Sequence, residues 1–316
     1  MFEIQSDRFH DIEKLMLINK DTGEYLSVIP SVGGNIQELV LRKGSVFYSI
    51  IAGDKQADSL KGISENAYRG AKLSPFPNRI DKGNYTFSSN VYSINKNDSG
   101  IHALHGFIWN KSFEVIIKEA SQSFALLVLE YKYQNNDVGY PFQYVIRIEY
   151  KLDYDGFSCL TEIENRSDGS IPIGDGWHPY FRFGKKINEL KLMLPSTKCI
   201  ETSTDLIPTG KYIEYNRFVT ASYIGDTVLD NCFELDPVDG VIETVLTDAE
   251  NDVHIVLWQE TNAKGYNYVH IYTPTDRESI AIEPSSCGPD AFNNGNGLII
   301  LEPNERIHFT FGIDLE

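Results

Sequence analysis

Short runs in which apolar and polar residues alternate recur along the whole chain and constrain its fold. Successive side chains of a β-strand point to opposite faces, so each run predicts a strand with one buried face. Strands are predicted at 124–131, 144–150, 252–258, 268–272 and 279–283. Segments rich in Asn, Asp and Gly lie between them, at 135–137, 153–156, 165–169 and 293–297. Such turn formers close hairpins and favour antiparallel pairing.

Helical signals are weak. The best short candidate, at 58–68, is interrupted by Gly62. We therefore predict an all-β fold, a large antiparallel β-sandwich in which residues 1–316 form one domain. The polar stretch 195–210 is expected to be a long loop within that domain, and Gly295-Asn296-Gly297 a hairpin turn.

The charge balance excludes some classes of partner. The 316 residues contain 28 basic and 45 acidic side chains, a net charge of -17. This charge repels nucleic acid and anionic membrane surfaces, so a neutral small molecule is the expected partner. No apolar run approaches the length of a membrane span and no signal peptide is recognisable, so a cytoplasmic protein is expected. The sequence leaves open whether the protein is a monomer or a homodimer.

The four cysteines predict neither a disulfide framework nor a zinc finger. They lie at positions 159, 199, 232 and 287, without CxxC spacing. Reduced, structural thiols are therefore expected.

His178 is the most informative single residue. It lies in the segment IGDGWHPYF at 173–181, where an imidazole that titrates near neutral pH is flanked by large aromatic rings. This setting suits a sugar pocket and makes His178 a candidate catalytic acid. The alternative is a histidine that caps an aromatic core cluster.

Glu283 is the candidate base. In the segment IAIEP at 280–284, alternation places the two isoleucines on one face and Ala281 with Glu283 on the other. If the isoleucines face the core, the carboxylate projects into open or pocket space, and Pro284 is expected to end the strand there. The alternative is an ordinary solvated glutamate.

Two histidines, His102 and His105, lie three residues apart beside Gly106. In an extended segment residues i and i+3 point to opposite faces, so a shared metal ion is not expected. His105 is the better pocket candidate, and His102 is expected to be structural or exposed.

Arg79 and Asp230 complete the candidate polar groups. Arg79 follows Asn78 in the proline-rich segment SPFPNRI at 74–80, and its planar fork of donors can hold two vicinal hydroxyls. Pairing with a surface carboxylate is the alternative. Asp230 lies beside an aromatic in LDNCF at 229–233, a pattern that alone cannot be distinguished from a turn.

Nucleotide-binding and serine hydrolase motifs are not found. No Walker sequence occurs, and the glycines near 295 do not follow a strand and open a helix. The chain also has no G-x-S-x-G elbow.

Taken in order, the motifs resemble those of the aldose 1-epimerase (galactose mutarotase) family. The resemblance rests on SPFPNRI at 74–80, LHG at 104–106, GWHPYF at 176–181, LDNCF at 229–233 and IEP at 282–284 with DAF at 290–292. It spans about residues 30 to 305. It implies a β-supersandwich isomerase that interconverts the anomers of a free aldose without a cofactor or metal.

The resemblance also implies roles for individual residues. Glu283 matches the general base and His178 the general acid of the family. Sugar-binding positions are implied for Arg79, His105 and Asp230, with Asn78 beside them. Four aromatics are candidate stacking surfaces for the sugar, with packing in the core as the alternative for each: Trp177, Tyr180, Phe76 and Phe292. The segment WHPYF at 177–181 departs from the HSYFNL pattern of galactose mutarotases, so preference for galactose does not follow.

Other activities remain open at this point. A hexose-6-phosphate 1-epimerase needs converging cations, and the candidates Arg69, Lys72, Arg79, Lys82 and Arg182 are not tightly grouped. A carbohydrate-binding protein without turnover and a polysaccharide lyase or hydrolase are further alternatives.

Overall fold

A computed structural model describes residues 1–55, 60 and 68–316 of the chain. Most of the candidate helix at 58–68 lies outside these residues. The strands of the described part are β1 (Phe2–Phe9), β2 (Ile12–Asn19), β3 (Tyr25–Ile29), β4 (Asn35–Lys43), β5 (Val46–Ser49), β6 (Ala71–Leu73), β7 (Arg79–Ile80), β8 (Asn84–Phe87), β9 (Asn90–Ser93), β10 (Ala103–Leu104), β11 (Glu114–Ala120), β12 (Phe124–Gln134), β13 (Gln143–Asp153), β14 (Phe157–Asn165), β15 (Ile171–Ile173), β16 (Gly176–His178), β17 (Tyr180–Phe181), β18 (Lys191–Met193), β19 (Lys198–Thr202), β20 (Pro208–Glu214), β21 (Ser222–Tyr223), β22 (Asp230–Glu234), β23 (Gly240–Asp248), β24 (Val253–Thr261), β25 (Tyr268–Tyr272), β26 (Ile280–Ser285), β27 (Ile299–Leu301) and β28 (Arg306–Leu315).

Helical structure in the described part is limited to short turns. Two 3-10 turns occur at Asp81–Gly83 and Ile187–Glu189, and an α-helical turn at Ala291–Asn294. Leu60 is also α-helical. No helix in the described ranges is long and apolar enough to cross a bilayer. The prediction of an all-β fold is confirmed, because the strands pair antiparallel throughout the large sheets.

Among the described residues, two large sheets dominate the architecture. One has nine strands in the order β11-β12-β13-β14-β28-β24-β23-β18-β21, and the other has β20-β19-β22-β25-β26-β16-β6 with β17 attached to β26. A five-stranded sheet, β1 to β5, packs beside them. The strands predicted from alternation correspond to β12, β13, β24, β25 and β26.

The core lies between the two large sheets. Trp177 of β16 packs against Tyr150 of β13 and Phe311 of β28, with 6.0 Å between ring centroids in each case. Ile280 and Ile282 of β26 belong to the same buried cluster, as the alternation of that segment predicted. The core therefore lies on one face of β16 and β26, and their other face is available for a site.

Three local expectations were wrong. The stretch 195–210, expected to be a loop, contains β19 and the start of β20. Pro284 does not end β26, because the pairing with β25 continues through Val269 opposite Pro284 to Ser285. Gly295 is not part of a hairpin turn: it ends the helical turn Ala291–Asn294 with a φ of 79°, and β26 does not pair with β27.

Candidate active site

Four neighbouring strands each bring one ionisable side chain to the same cavity. β22, β25, β26 and β16 are adjacent in the sheet and carry Asp230, His270, Glu283 and His178. His270 lies directly opposite Glu283 in the register. Directly paired residues of antiparallel strands point to the same face, so pairing alone brings these two side chains together. The cavity has a volume of about 210 Å³.

The turns around β7 and β10 form another wall of the cavity. These two short strands pair with each other, and Asn78 and His105 lie at their ends. The Asn78 backbone N–H donates to Nδ1 of His105 at 3.0 Å, and the His105 backbone N–H donates to the Asn78 carbonyl oxygen at 2.9 Å. Since Nδ1 accepts a hydrogen bond, the ring proton of neutral His105 lies on Nε2.

Gly106 allows this wall to form. Its φ is +70°, and a Cβ placed there would lie 2.1 Å from the carbonyl oxygen of Ser74. A side chain would therefore need both a strained backbone and a displaced neighbouring segment. The glycine lets the chain after β10 approach Ser74 closely, which holds His105 in place.

His178 and Glu283 form the central pair. Nε2 of His178 lies 3.3 Å from Oε1 of Glu283, and Glu283 is only 2% exposed. Burial, the main cause, raises the pKa of Glu283 to about 8. Burial also lowers the pKa of His178 to about 3, assisted by the charge of His270. Near neutral pH the free pair therefore holds one proton, on the carboxyl group.

His270 and Asp230 form a second pair beside the first. Nε2 of His270 lies 2.8 Å from Oδ1 of Asp230. Burial alone would lower the pKa of His270, but the carboxylates of Glu283 and Asp230 outweigh it and raise that pKa. For Asp230 burial alone would raise the pKa, but the hydrogen bond and charge of His270 lower it. Each partner thus stabilises the charged form of the other.

Asn78 supports this second pair. Its side-chain oxygen accepts the Arg79 backbone N–H at 2.9 Å, which directs its NH₂ group toward Nδ1 of His270, 3.4 Å away. Arg79 also lines the cavity, and its Nε donates to Oδ2 of Asp98 at 2.7 Å. Arg79 therefore fulfils both expectations: it lines the cavity, and it also pairs with a carboxylate.

The aromatic residues divide between cavity and core. Tyr180 lines the cavity, and its ring stacks on His178 with centroids 5.0 Å apart. The expectation for Trp177 was wrong: it is adjacent to His178 in β16, so it points to the opposite face and is fully buried in the core. Phe292 and Phe76 are also core residues, in edge-to-face contact with each other, and neither lines this cavity.

Three residues of the cavity could hold a divalent ion. Ligand atoms of His105, His178 and Glu283 lie within 4.8 Å of one another. His102 does not join them, because its Nδ1 accepts the Lys82 backbone N–H at 3.1 Å. The expectation that His102 and His105 do not share a metal ion agrees with this placement, and the absence of a metal from the working protein stays a prediction.

Sequence reasoning missed His270, Tyr272 and Tyr68, which line the cavity with the expected residues. His270 could have been noticed as the polar centre of the apolar strand YVHIY at 268–272. Its position opposite Glu283, however, depends on the strand register, which a single sequence does not reveal.

A family model described as aldose 1-epimerase matches residues 15–314 of the chain. The chain belongs to the aldose 1-epimerase family. Such a match supports an epimerase, an isomerase acting on sugars. The uncharacterized protein YihR of Escherichia coli is 25% identical over 300 residues, 92% of this chain and 90% of that protein.

Solved structures of the family share the fold. A galactose mutarotase-like protein from Clostridium acetobutylicum superimposes with a TM-score of 0.88 at 21% identity, covering 100% of this chain and 98% of that one. Galactose 1-epimerase from Lactobacillus acidophilus gives a TM-score of 0.80 at 17% identity, with 100% and 98% coverage. At these identities the structures establish the common architecture of the sheets.

Proposed function

We propose that this epimerase interconverts the α and β anomers of a free aldose, such as glucose or galactose, with Glu283 as base and His178 as acid. The observation that carries the proposal is their contact, Nε2 to Oε1 at 3.3 Å, in a cavity lined by hydrogen-bonding groups. One acid and one base suffice for ring opening, and such groups typically contribute about 10²–10⁴-fold each.

The proton transfers balance over one cycle. Glu283 takes the proton of the anomeric hydroxyl O1, and the electron pair of that bond forms the C1 carbonyl. The C1–O5 bond breaks, and its pair on O5 takes a proton from His178. After rotation about C1–C2, closure reverses both transfers and gives the other anomer. The pair is thereby restored without an external proton donor.

The pair has the right number of protons for this cycle near neutral pH. A carboxylate beside an imidazolium contains as many protons as a carboxylic acid beside a neutral imidazole. The free site favours the second form, because burial raises the pKa of Glu283 and lowers that of His178. Transfer of one proton across the 3.3 Å contact converts it to the reactive form.

The remaining polar groups suit ring hydroxyls. Asp230, held by His270, accepts hydrogen bonds, and neutral His105 presents its Nε2–H as a donor. Arg79 adds a cationic donor to the wall. Together these groups orient the sugar so that O1 and O5 meet the base and acid.

The cations of the cavity favour a free aldose over a hexose 6-phosphate. Of the five cations considered for a phosphate, Arg79 alone lines the cavity in the described part of the chain, and it already pairs with Asp98. Lys72 pairs with Asp175 in the core. A phosphate dianion would also meet the carboxylate of Asp230, whose pKa is lowered by His270.

Anomer exchange is the direct test. Pure α-D-glucose or α-D-galactose is dissolved with the protein, and optical rotation or the anomeric proton signals are followed, with Glu283→Gln as control. We expect faster relaxation with the wild type for at least one free aldose, and slower exchange for glucose 6-phosphate than for glucose. If no sugar of a wide aldose panel relaxes faster than with the control, the proposal is wrong. Calorimetric binding without exchange would instead indicate a carbohydrate-binding protein.

A further inference from the structure

His178 is oriented by aromatic rings rather than by a hydrogen bond at its second ring nitrogen. Its Nδ1 is buried and has no hydrogen-bond partner in the described part of the chain. The ring of Tyr180 lies almost parallel to the imidazole, with 5.0 Å between centroids and 7° between planes. Tyr68 is also roughly parallel to it, at 6.4 Å and 17°. The plane of the imidazole, and thus the direction of Nε2, therefore depends on these rings.

Arg69 packs on Tyr180 without lining the cavity. Its guanidinium carbon Cζ lies 4.2 Å from the centroid of the Tyr180 ring, within the range of a cation–π contact. Neutral acceptors hold the guanidinium there. Nη1 donates to the Ser279 hydroxyl at 3.0 Å and to the Ala52 carbonyl oxygen at 3.5 Å. The cation is thus fixed on the ring that stacks on His178.

The turn that carries Arg69 is bound to the backbone of His178. The Gly70 backbone N–H donates to the His178 carbonyl oxygen at 2.9 Å, and Ala71 pairs with His178 where β6 meets β16. Gly70 has a φ of +66°, and a Cβ there would lie 2.1 Å from the carbonyl oxygen of Ile36, so the turn requires glycine. Arg69 therefore keeps its place beside His178 without the help of a ligand.

The charge of Arg69 also acts on His178. Burial is the main cause that lowers the pKa of His178; the charges of His270 and Arg69 lower it further, whereas the charge of Asp230 raises it. The charged or titratable groups that line the cavity around His178 include Tyr68, Arg79, His105, Asp230, His270 and Glu283. A sugar in the cavity would meet those groups, whereas Arg69 remains on Tyr180. Its effect on His178 is therefore the same in the free and the occupied site.

We propose that Arg69 is a positioning residue for the acid of the reaction: through the ring of Tyr180 it holds the His178 imidazole in its plane and keeps a positive charge beside it. This inference rests on the proposed function. A fixed plane keeps Nε2 directed at the sugar during ring opening, and misplacement of an acid slows proton transfer. Because Arg69 does not line the cavity, its removal should affect the chemical step more than sugar binding.

Exchange kinetics test this role. Arg69→Met removes the charge and keeps an unbranched side chain. It should lower kcat about two- to thirtyfold, the range of a cation–π contact, with little change in KM. Arg69→Lys retains a cation and should recover part of kcat. The exposed Arg42→Met is the matched control and should leave both constants at wild-type values. A raised KM with an unchanged kcat in Arg69→Met would overturn the inference, because it would indicate a role in sugar binding.

A double-mutant cycle tests whether the effect passes through Tyr180. Tyr180→Leu removes the ring and should itself lower kcat. Arg69→Met should then cause little further loss in the Tyr180→Leu background, and fully additive losses would overturn the inference. Ser279→Ala, which removes a hydroxyl that holds the guanidinium, is a second variant in case Arg69→Met does not fold. It should lower kcat by a smaller factor, and a wild-type kcat in every folded variant of Arg69 and Ser279 would also overturn the inference.

The titration of His178 is a readout that needs no substrate. Imidazole signals of protein with isotope-labelled histidine are followed by NMR against pH, with His178→Gln for assignment. Loss of the Arg69 charge should raise the pKa of His178 from about 3, so Arg69→Met should take up the His178 proton at a higher pH than the wild type, and Arg42→Met should not. An unchanged titration in Arg69→Met would overturn the inference. A shifted titration without exchange of any sugar by the wild type would support the coupling of Arg69 to His178 and overturn the proposed function.

Discussion

Two buried clusters of ionisable side chains lie on opposite faces of the eight-stranded sheet. On the core face, Lys72 pairs with Asp175, whose Oδ2 also accepts the Tyr266 hydroxyl at 2.7 Å. On the cavity face, His178 contacts Glu283. Both clusters are almost fully buried, but His178 and Glu283 line the cavity described above, whereas the side chains of Lys72 and Asp175 are completely enclosed.

Burial displaces pKa values on both faces. It raises the pKa of Asp175 and lowers that of Lys72, although their ion pair opposes both changes. Burial likewise raises the pKa of Glu283 and lowers that of His178. A displaced pKa therefore does not distinguish a catalytic group from a structural one in this protein. The distinguishing property is access: Lys72 and Asp175 are completely enclosed, whereas the cavity leaves room for a ligand beside His178 and Glu283.

The largest expected difference between the two faces concerns the base. Glu283→Gln should lower anomer exchange by about 10²–10⁴-fold, because an amide cannot take the O1 proton. The free energy of unfolding near neutral pH should rise rather than fall. Burial raises the pKa of Glu283 to about 8, so the unfolded chain gains free energy there by ionising this carboxyl group, and glutamine removes that gain. Polarimetry and urea unfolding measure the two effects, with the exposed Glu260→Gln as control. Full activity of Glu283→Gln would show that Glu283 is not the base.

Lys72→Met should have the opposite profile. It leaves Asp175 buried without its cation, which typically costs about 3–5 kcal/mol of unfolding free energy. Urea unfolding measures the loss, and exchange per folded molecule should be reduced much less than by Glu283→Gln. Adding Asp175→Asn should recover part of the stability, because the amide can still accept from Tyr266. A stability equal to wild type would show that the core pair is not structural.

His270→Gln tests the second pair of the cavity. It removes the partner that lowers the pKa of Asp230 and holds its carboxylate. We expect a loss of about ten- to a hundredfold in kcat/KM, the value of a hydrogen bond to a charged group, mainly through KM. Steady-state exchange kinetics measure the split between KM and kcat. The exposed His308→Gln should retain wild-type kinetics, and an unchanged KM in His270→Gln would contradict a sugar-positioning role.

The pH dependence of exchange tests the one-proton pair. With a pKa of about 8 at Glu283 and about 3 at His178, the pair holds one proton between these values. Above about pH 8 it loses that proton, so kcat/KM should fall about tenfold for each further pH unit. Rates must be corrected for buffer-catalysed exchange at each pH. A rate that instead rises through pH 8 would mean that Glu283 must simply be ionised.

Trp177→Phe gives the smallest expected effect. The smaller ring leaves a void beside Tyr150 and Phe311 and should lower the unfolding free energy by about 1–3 kcal/mol. Because the side chain points away from the cavity, exchange should stay close to wild type. Thermal unfolding and polarimetry measure both quantities. A large loss of exchange per folded molecule would show that Trp177 does contribute to the active site.

Much of the fold could be predicted because alternation directly reports a strand with one buried face. It failed at β19 and β20, where the sequence is polar and β20 is largely exposed. The alternation of side chains in a strand also places Trp177 on the face opposite His178, in the core. The sequence prediction instead followed the aromatic surroundings and assigned Trp177 a sugar contact. His270 could not be placed, because no local pattern reports which residue of β25 lies opposite Glu283.

The alternation of side chains along β22, β25 and β26 divides their residues into two sets with different roles. Positions 230, 270, 272 and 283 face the cavity, whereas 233, 271 and 282 belong to the core. On the proposed function, substitutions at 230, 270 and 272 are expected to alter which sugars are recognised, while Glu283 is kept as the base and the second set continues to specify the scaffold. An engineer can therefore vary these three positions to seek new substrates without redesigning the packing behind them.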